Sequence, residues 1–96
     1  MRESEFESYL LSDEKIKSKK KALRSRMAKA RLIERHFDMS LDCIVADDET
    51  MYKTLLRIKV EIKDTNGTIT NALRKYYVFT NGKLFPVLSE YERQKG

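Results

Sequence analysis

The apolar residues of this chain recur with the spacing of amphipathic helices over most of its length. A short first helix, ending at the Ser12-Asp13 pair, is predicted from Phe6, Tyr9 and Leu10. A second helix is predicted from this pair to residue 37, because no Gly or Pro intervenes and either residue of the pair suits the N-cap position. Its core-facing residues share one face of the helical wheel: Ile16, Leu23, Met27, Ala30, Ile33 and Phe37.

The next part of the chain is open to two interpretations. Leu41, Ile44 and Val45 predict a buried connector, and a third helix is expected to begin at Asp47 or Asp48, since acids are favourable near a helix N-terminus. This helix is predicted to bury Met51, Tyr52, Leu55, Leu56, Ile58 and Ile62. The stretch RIKVEIK, however, alternates apolar and polar residues, which is equally typical of a half-buried strand.

A β-hairpin over residues 57–79, turning at Asn66-Gly67, is therefore the alternative to helices. Helical spacing favours a fourth helix, whose apolar residues are Ile69, Ala72, Leu73, Tyr76 and Phe79. Gly82 is its predicted C-terminal stop. The chain after it is expected to pack back on the bundle, before a polar tail, through Leu84, Phe85, Val87 and Leu88.

The predicted fold is all-α, a compact four- to five-helix bundle, with an α+β form as the alternative. The 96 residues correspond to one domain, with the bundle over residues 5–82 and a C-terminal segment over 83–96. With 41% hydrophobic residues the chain has enough apolar surface to fold. Its single cysteine, Cys43, cannot form an internal disulfide, and no apolar run approaches the about 20 residues of a membrane helix, so a cytoplasmic protein is expected.

Positive charge is concentrated in residues 15–35, which hold ten lysines and arginines and one acid, Glu34. Because the whole chain has a net charge of +5, the remainder is slightly acidic. Six of the basic residues gather on one face of the predicted second helix, around the small Ala28: Lys17, Lys20, Lys21, Arg24, Arg31 and Arg35. Like charges four residues apart repel by a few tenths of a kcal/mol. A merely solvated helix face is the alternative, but the single sign of the charges favours an anionic partner.

No catalytic or metal-binding pattern stands out, and no enzyme, cofactor, metal or small-molecule substrate is predicted. His36 has no Cys or His at ligand spacing and is interpreted as a structural or surface histidine. The acids from Asp47 to Glu49 lack the spacing of a calcium loop and suit helix capping. Cys43 is expected to be a buried apolar thiol. Tyr76 and Tyr77 follow two cations, a pattern that would suit base stacking, but core packing is favoured, with Tyr77 nearer the edge.

The order of elements resembles a known family of domains. The stretches FESYLL, ARLIERHF, LDCIVADDE, LLRIK and NALRKYYVFTNG, spanning residues 5–82, are similar to the N-terminal core-binding domain of phage integrases and other tyrosine recombinases. This resemblance implies a sterile-alpha-motif-like four-helix domain that clamps one side of duplex DNA. The family's catalytic residues lie in a separate domain, and none of Tyr76, Tyr77 or Tyr91 matches its nucleophile.

The leading hypothesis is a non-enzymatic DNA-binding domain of phage or mobile-element type, in which the six basic residues contact phosphates. Arg24 or Arg31 is the expected base reader, because a guanidinium can bind guanine bidentately. The competing hypothesis is a small helical protein-interaction module, such as a phage-encoded regulator or inhibitor of a host nuclease, which docks its basic face on an acidic or nucleic-acid-bound partner. Binding to a membrane surface is disfavoured, since the basic helix lacks large apolar anchors.

Overall fold

The computed structural model describes residues 1–12, 19–64 and 67–95, and the side chains of residues 1–12, 21–64 and 67–94. Within these ranges the chain forms six α-helices and one π-helical turn, called the π segment, and no strand. The elements are α1 (Glu3–Leu11), α2 (Lys19–Phe37), α3 (Leu41–Ala46), α4 (Asp48–Arg57), the π segment (Ile58–Ile62), α5 (Thr68–Asn81) and α6 (Leu88–Lys95). The all-α prediction is confirmed, with α3 and α6 as additional helices. The predicted start of the second helix, including Asp13, Ile16 and Lys17, lies outside the described residues.

The core lies between α2 and α5, which share the largest packing surface in the described chain. From α2 it receives Met27, Ala30 and Ile33, which are fully or almost fully buried, as the spacing of the sequence predicts. Helix α1 closes one side through Phe6 and Leu10, and Phe6 meets the ring of Tyr76 edge-on at 4.9 Å between ring centroids. Helix α2 is therefore held along one face only, and the opposite face points to solvent.

Tyr76 and Tyr77 of α5 are both buried, and the expectation that Tyr77 lies nearer the edge is wrong. The reason is that α5 is covered on two sides. The Tyr76 hydroxyl donates a hydrogen bond to the Asp42 carboxylate in α3, and the Tyr77 hydroxyl donates one to Asp48 at the start of α4, at 2.8 Å. Burial, and then this bond to Asp48, raise the pKa of Tyr77 to about 12. The prediction that the pair packs in the core is confirmed.

The stretch RIKVEIK is helical, and the hairpin alternative is wrong. Asp47 is the N-cap of α4, accepting a hydrogen bond from the backbone N–H of Thr50 at 3.0 Å, and the helix passes directly into the π segment. Ile58 is buried while Val60 is 75% exposed, so the apparent alternation does not mark one buried strand face. Arg57 and Glu61 are four residues apart in the sequence, and the helical backbone brings their side chains together as an ion pair.

Cys43 is exposed, which contradicts the predicted buried thiol. The connector that contains it is a helix, α3, capped by the Ser40 hydroxyl, which accepts a hydrogen bond from the Cys43 N–H at 3.2 Å. The buried residues of α3 are Leu41, Ile44 and Val45. In a helix these positions share one face, and position 43 lies on the opposite one.

The C-terminal segment packs back less completely than predicted. Phe85 is buried against Tyr77, with ring centroids 5.1 Å apart, but Leu84 and Val87 are 81% and 58% exposed. The connection between α5 and α6 is therefore anchored on the bundle through Phe85, and Leu88 at the start of α6 is partly buried against the core. Leu56 of α4 is also exposed, at 37%, contrary to its predicted burial.

Both ends of α5 are fixed by specific groups. Asp64 accepts hydrogen bonds from the Thr70 backbone N–H at 2.8 Å and from its hydroxyl at 3.0 Å, which satisfies donors at the helix N-terminus. Gly82 adopts the left-handed conformation with φ of 71°, and its N–H donates to the Val78 carbonyl at 2.8 Å, so the predicted helix stop is confirmed.

Acid should destabilise the fold through its hydrogen-bonded and capping aspartates. Burial alone would raise the pKa of Asp64, but the amides of the first turn of α5 outweigh it and hold the pKa below its ordinary value. A carboxylate with a lowered folded pKa contributes stability above about pH 5, which is lost as the pH falls through the folded pKa. Urea unfolding between about pH 6 and 2.5 should show this loss, and Asp64→Asn should reduce it. The exposed Glu90→Gln is the control; an equal effect of both variants would contradict the prediction.

Replacing Gly82 should destabilise the chain through backbone strain alone. A Cβ at this position would meet no atom within 4 Å, but a φ of 71° is unfavourable for L-residues with side chains. Gly82→Ala should therefore lower the free energy of unfolding by about 1 kcal/mol. Gly82→Asn should cost less, because asparagine tolerates this conformation, and urea denaturation would measure both. Equal losses for the two variants would contradict this explanation.

Candidate functional site

The structure describes the side chains of four of the six predicted site residues, Lys21, Arg24, Arg31 and Arg35, and all four are exposed on α2. Lys20 lies in α2, but only its backbone is described, and Lys17 lies outside the described residues. The four side chains share the solvent side of one helix, as the helical wheel predicts. From Lys21 to Arg35 they extend over about 21 Å, at about 1.5 Å per residue.

The name basic face is used here for Lys21, Arg24 and Arg35 together with the exposed Ala28 between them. These three cations have no carboxylate within salt-bridge distance among the described residues. They point away from the core, because Met27, Ala30 and Ile33 occupy the opposite side of the helix. The basic face is thus a solvent-exposed surface of one sign, with a small residue at its centre.

Arg31 differs from the other three because it has an acidic partner. Its Nε lies 2.6 Å from a carboxylate oxygen of Glu3, so the arginine joins α2 to the start of α1. Both side chains are about half exposed, which limits the contribution of such a pair to stability to about 1 kcal/mol or less. Its consequence for binding is larger, since a paired guanidinium is less available to an anion.

Glu34, the one acid within residues 15–35, lies at the edge of the basic face, and its carboxylate is bound by groups outside α2. Its carboxylate accepts a hydrogen bond from the Leu41 N–H at 2.9 Å and lies 2.9 Å from the Met1 ammonium. It also borders an open concavity beside Arg31 and Arg35, together with Asp38. Among the residues whose side chains are described, positive charge is therefore least compensated in the N-terminal half of α2, around Lys21 and Arg24.

Two cations of α2 that the sequence analysis did not select, Arg26 and Lys29, lie on the side that faces α5. Both are half-buried and line a depression between the two helices with Thr68 and Asn71. The helical wheel places them toward the edge of the core-facing side, which is why they were not grouped with the basic face. Only the position of α5 makes them part of a groove.

The acids of the remaining chain are largely used within the fold. Asp42 and Asp48 accept from the two buried tyrosines, and Asp47 caps α4. Burial alone would raise the pKa of Asp42, but the hydrogen bond from Tyr76 and the Met1 ammonium outweigh it, so the pKa lies below its ordinary value. The hydrogen-bond partners of these three aspartates lie outside α2, so these carboxylates do not neutralise the cations of the basic face.

No other described cluster suggests chemistry. His36 Nε2 lies 3.0 Å from Glu61 Oε1, and its ring packs edge-on against Phe37. The described residues contain no group of three His, Cys, Asp or Glu side chains placed to hold a metal ion. None of the described helices has both the length and the apolar content to span a bilayer.

The chain matches no protein-family model, no curated protein and no solved structure. The resemblance to recombinase core-binding domains therefore stays a prediction.

Proposed function

We propose that this chain is a non-enzymatic DNA-binding domain, of phage or mobile-element type, that contacts duplex phosphates through the basic face of α2. The observation that carries this proposal is the unpaired exposure of Lys21, Arg24 and Arg35 on one helix face, with Glu34 engaged elsewhere. A face kept only for solubility would be expected to alternate charges, because opposite charges support each other along a helix.

The dimensions of α2 suit a duplex. An α-helix fits the major groove, which is about 12 Å wide. The about 21 Å between Lys21 and Arg35 corresponds to about six base pairs, at about 3.4 Å per base pair. Ala28 at the centre of the face lets the helix backbone approach closely. A single strand is the poorer ligand, because stacking needs exposed aromatic rings and Tyr76 and Tyr77 are buried.

Arg24 is the better of the two expected base readers. Arg31 is paired with Glu3, whereas Arg24 has no described carboxylate partner and lies where the positive charge is least compensated. Its guanidinium can bind the O6 and N7 atoms of guanine bidentately. The other cations of the face would position the domain on phosphates without reading sequence.

A protein-interaction module is the second candidate, and one observation favours it. Leu84 and Val87 expose most of their apolar side chains in the C-terminal segment, and Leu84 borders a depression that Arg26 and Lys75 also line. An acidic protein surface with an apolar centre would complement both features. This candidate predicts that the protein binds no free duplex at low salt.

Duplex binding should depend steeply on salt. With Arg31 paired, five of the six sequence-selected cations remain: Lys17, Lys20, Lys21, Arg24 and Arg35. If each neutralises one phosphate, the logarithm of the binding constant should fall against the logarithm of salt with a slope of about −4 to −5. Binding to a random-sequence fluorescent duplex should weaken several hundredfold between about 50 and about 200 mM salt. Lys21→Glu/Arg24→Glu should weaken it at least about a hundredfold at the lower salt.

A matched control separates the effect of the basic face on binding from the effect of net charge. Lys59→Glu/Lys83→Glu changes two exposed residues outside α2 and lowers the net charge from +5 to +1, as the first variant does. The control should bind almost as well as the wild type. Equal losses for both variants, or no binding by the wild type at about 50 mM salt, would contradict the proposal; the second result would favour a protein partner.

Releasing Arg31 should strengthen binding. Glu3→Gln removes the carboxylate that pairs with Arg31, so one more guanidinium becomes available to a phosphate. The salt slope should steepen by about 0.9, and binding at low salt should tighten several-fold. Glu7→Gln is the control, since Glu7 is an exposed acid of the same helix and its replacement makes the same change in net charge. A similar gain for both variants would show that the Arg31 pair has no specific role.

A further inference from the structure

A continuous groove runs between α2 and α5, beside the basic face. It consists of two adjoining depressions, of about 170 and about 310 Å³, which share Arg26 and Asn71. The first also contains Ala22, Ser25, Lys29 and Thr68, and the second Arg74, Lys75, Val78 and Leu84. A groove made of two adjoining depressions accommodates an extended chain better than one compact small molecule.

The groove has strongly one-sided charge. It is lined by four cationic side chains and, within the described residues, by no acid. Arg74 is used in the fold, because its guanidinium donates hydrogen bonds to the carbonyl oxygens of Phe85 and Pro86 at 2.9 and 3.3 Å. Lys29 donates to the Ser25 hydroxyl at 2.6 Å, and both side chains line the first depression.

Arg26 is the central group of the groove. It is half-buried, and no described carboxylate lies within salt-bridge distance of its guanidinium. A partly desolvated cation without a counter-ion focuses positive potential more strongly than an exposed one, because less water screens it. The flat guanidinium also matches a phosphate group, to which it can donate two parallel hydrogen bonds.

We propose that this groove is a second phosphate-binding surface, which seats one sugar–phosphate strand of the duplex whose groove α2 enters. Arg26 and Lys29, less than one helical turn apart, contact phosphates along that strand. The Asn71 amide and the Thr68 hydroxyl on α5 supply neutral donors from the opposite wall. The inference rests on the proposed DNA-binding function and extends it by naming a second set of contacts.

The arrangement of α2 explains why a strand would run there. A helix in the major groove has a phosphate strand on each flank. With Arg24 and Ala28 facing the bases, Arg31 lies on the flank toward α1, where it pairs with Glu3, and Lys29 lies on the flank toward α5. A strand along the second flank therefore passes between α2 and α5. The groove contains no aromatic ring for stacking on bases, which agrees with recognition of the backbone alone.

Three double variants with the same charge test this inference. Arg26→Gln/Lys29→Gln changes the groove, Lys21→Gln/Arg24→Gln changes the basic face, and Lys59→Gln/Lys83→Gln is the control; each lowers the net charge from +5 to +3. The salt slope of binding to a random-sequence duplex is measured for each. Arg26 and Lys29 add two phosphate contacts to those of the basic helix, so the slope of about −4 to −5 expected from the five cations alone becomes about −6. The groove variant should lose about 1.8 from this slope and bind at least about tenfold more weakly than the control at about 100 mM salt.

The possible results separate this inference from the proposed function. A groove variant that behaves like the control, while the face variant loses affinity, overturns the groove and leaves DNA binding by the face intact. If neither variant differs from the control, both proposals fail. Lys29→Gln alone provides a second test, because the described side-chain hydrogen bond of Lys29 is to Ser25 of its own helix, and the variant should lower the slope by about 0.9.

Amide chemical shifts distinguish three possible ligands of the groove: a DNA duplex, a free phosphate compound and an acidic protein. Titration with the duplex should shift the amides of residues 25–29 and 68–71 together with those of the basic face. Shifts of these amides by inorganic phosphate, without any by the duplex, would overturn the strand assignment in favour of a free phosphate compound. The same pattern with poly-glutamate, and none with the duplex, would overturn it in favour of an acidic protein partner.

Discussion

The packing of α5 between two layers is the constraint on which the rest of the structure depends. Its consecutive tyrosines face different partners: Tyr76 contacts α1 and α3, and Tyr77 contacts the start of α4 and the C-terminal segment. Both hydroxyls are buried, and each is satisfied by an aspartate, which removes the cost of an unpaired polar group in the core. Because α1, α3 and α4 are arranged around this helix, α2 is left with one covered side.

The second constraint is the way the fold distributes its charges. Several acids cap helices or accept hydrogen bonds from tyrosine hydroxyls, and Glu34 accepts a hydrogen bond from the Leu41 backbone N–H. The cations of α2 have fewer such uses, so much of the net charge of +5 is displayed on one helix and on the groove beside it. In a chain of this size, a single helix face can therefore determine the electrostatic character of the domain.

The basic face and the α2/α5 groove follow from the same packing. Helix α5 covers the core-facing side of α2 and at the same time forms the opposite wall of a channel whose cations come from both helices. The carbonyl oxygens of the C-terminal segment fix Arg74 at one end of this channel. The basic face, the groove and the core are thus built from adjacent faces of two helices, so the exposed cations are carried by regular secondary structure.

Much of the fold could be predicted from local pattern. Helical spacing identified α1, most of α2, α4 and α5, and the chemistry of Asp47 and Gly82 located two helix ends, because caps depend on residues close in sequence. The same spacing identified the exposed cations of α2. Alternation in RIKVEIK was misleading, since a short stretch fits both periods and only packing of Ile58 in the core selects the helix.

Tertiary structure decided the features that depend on contacts between residues distant in the sequence. The burial of Tyr77, the pairing of Arg31 with Glu3 and the groove around Arg26 each require two elements to meet, and no periodicity along one element contains that information. The sequence by itself determined that α2 is a helix with one apolar and one cationic face. Only the packing of α1 and α5 against its two edges decided which cations are paired, which remain exposed and which line a groove.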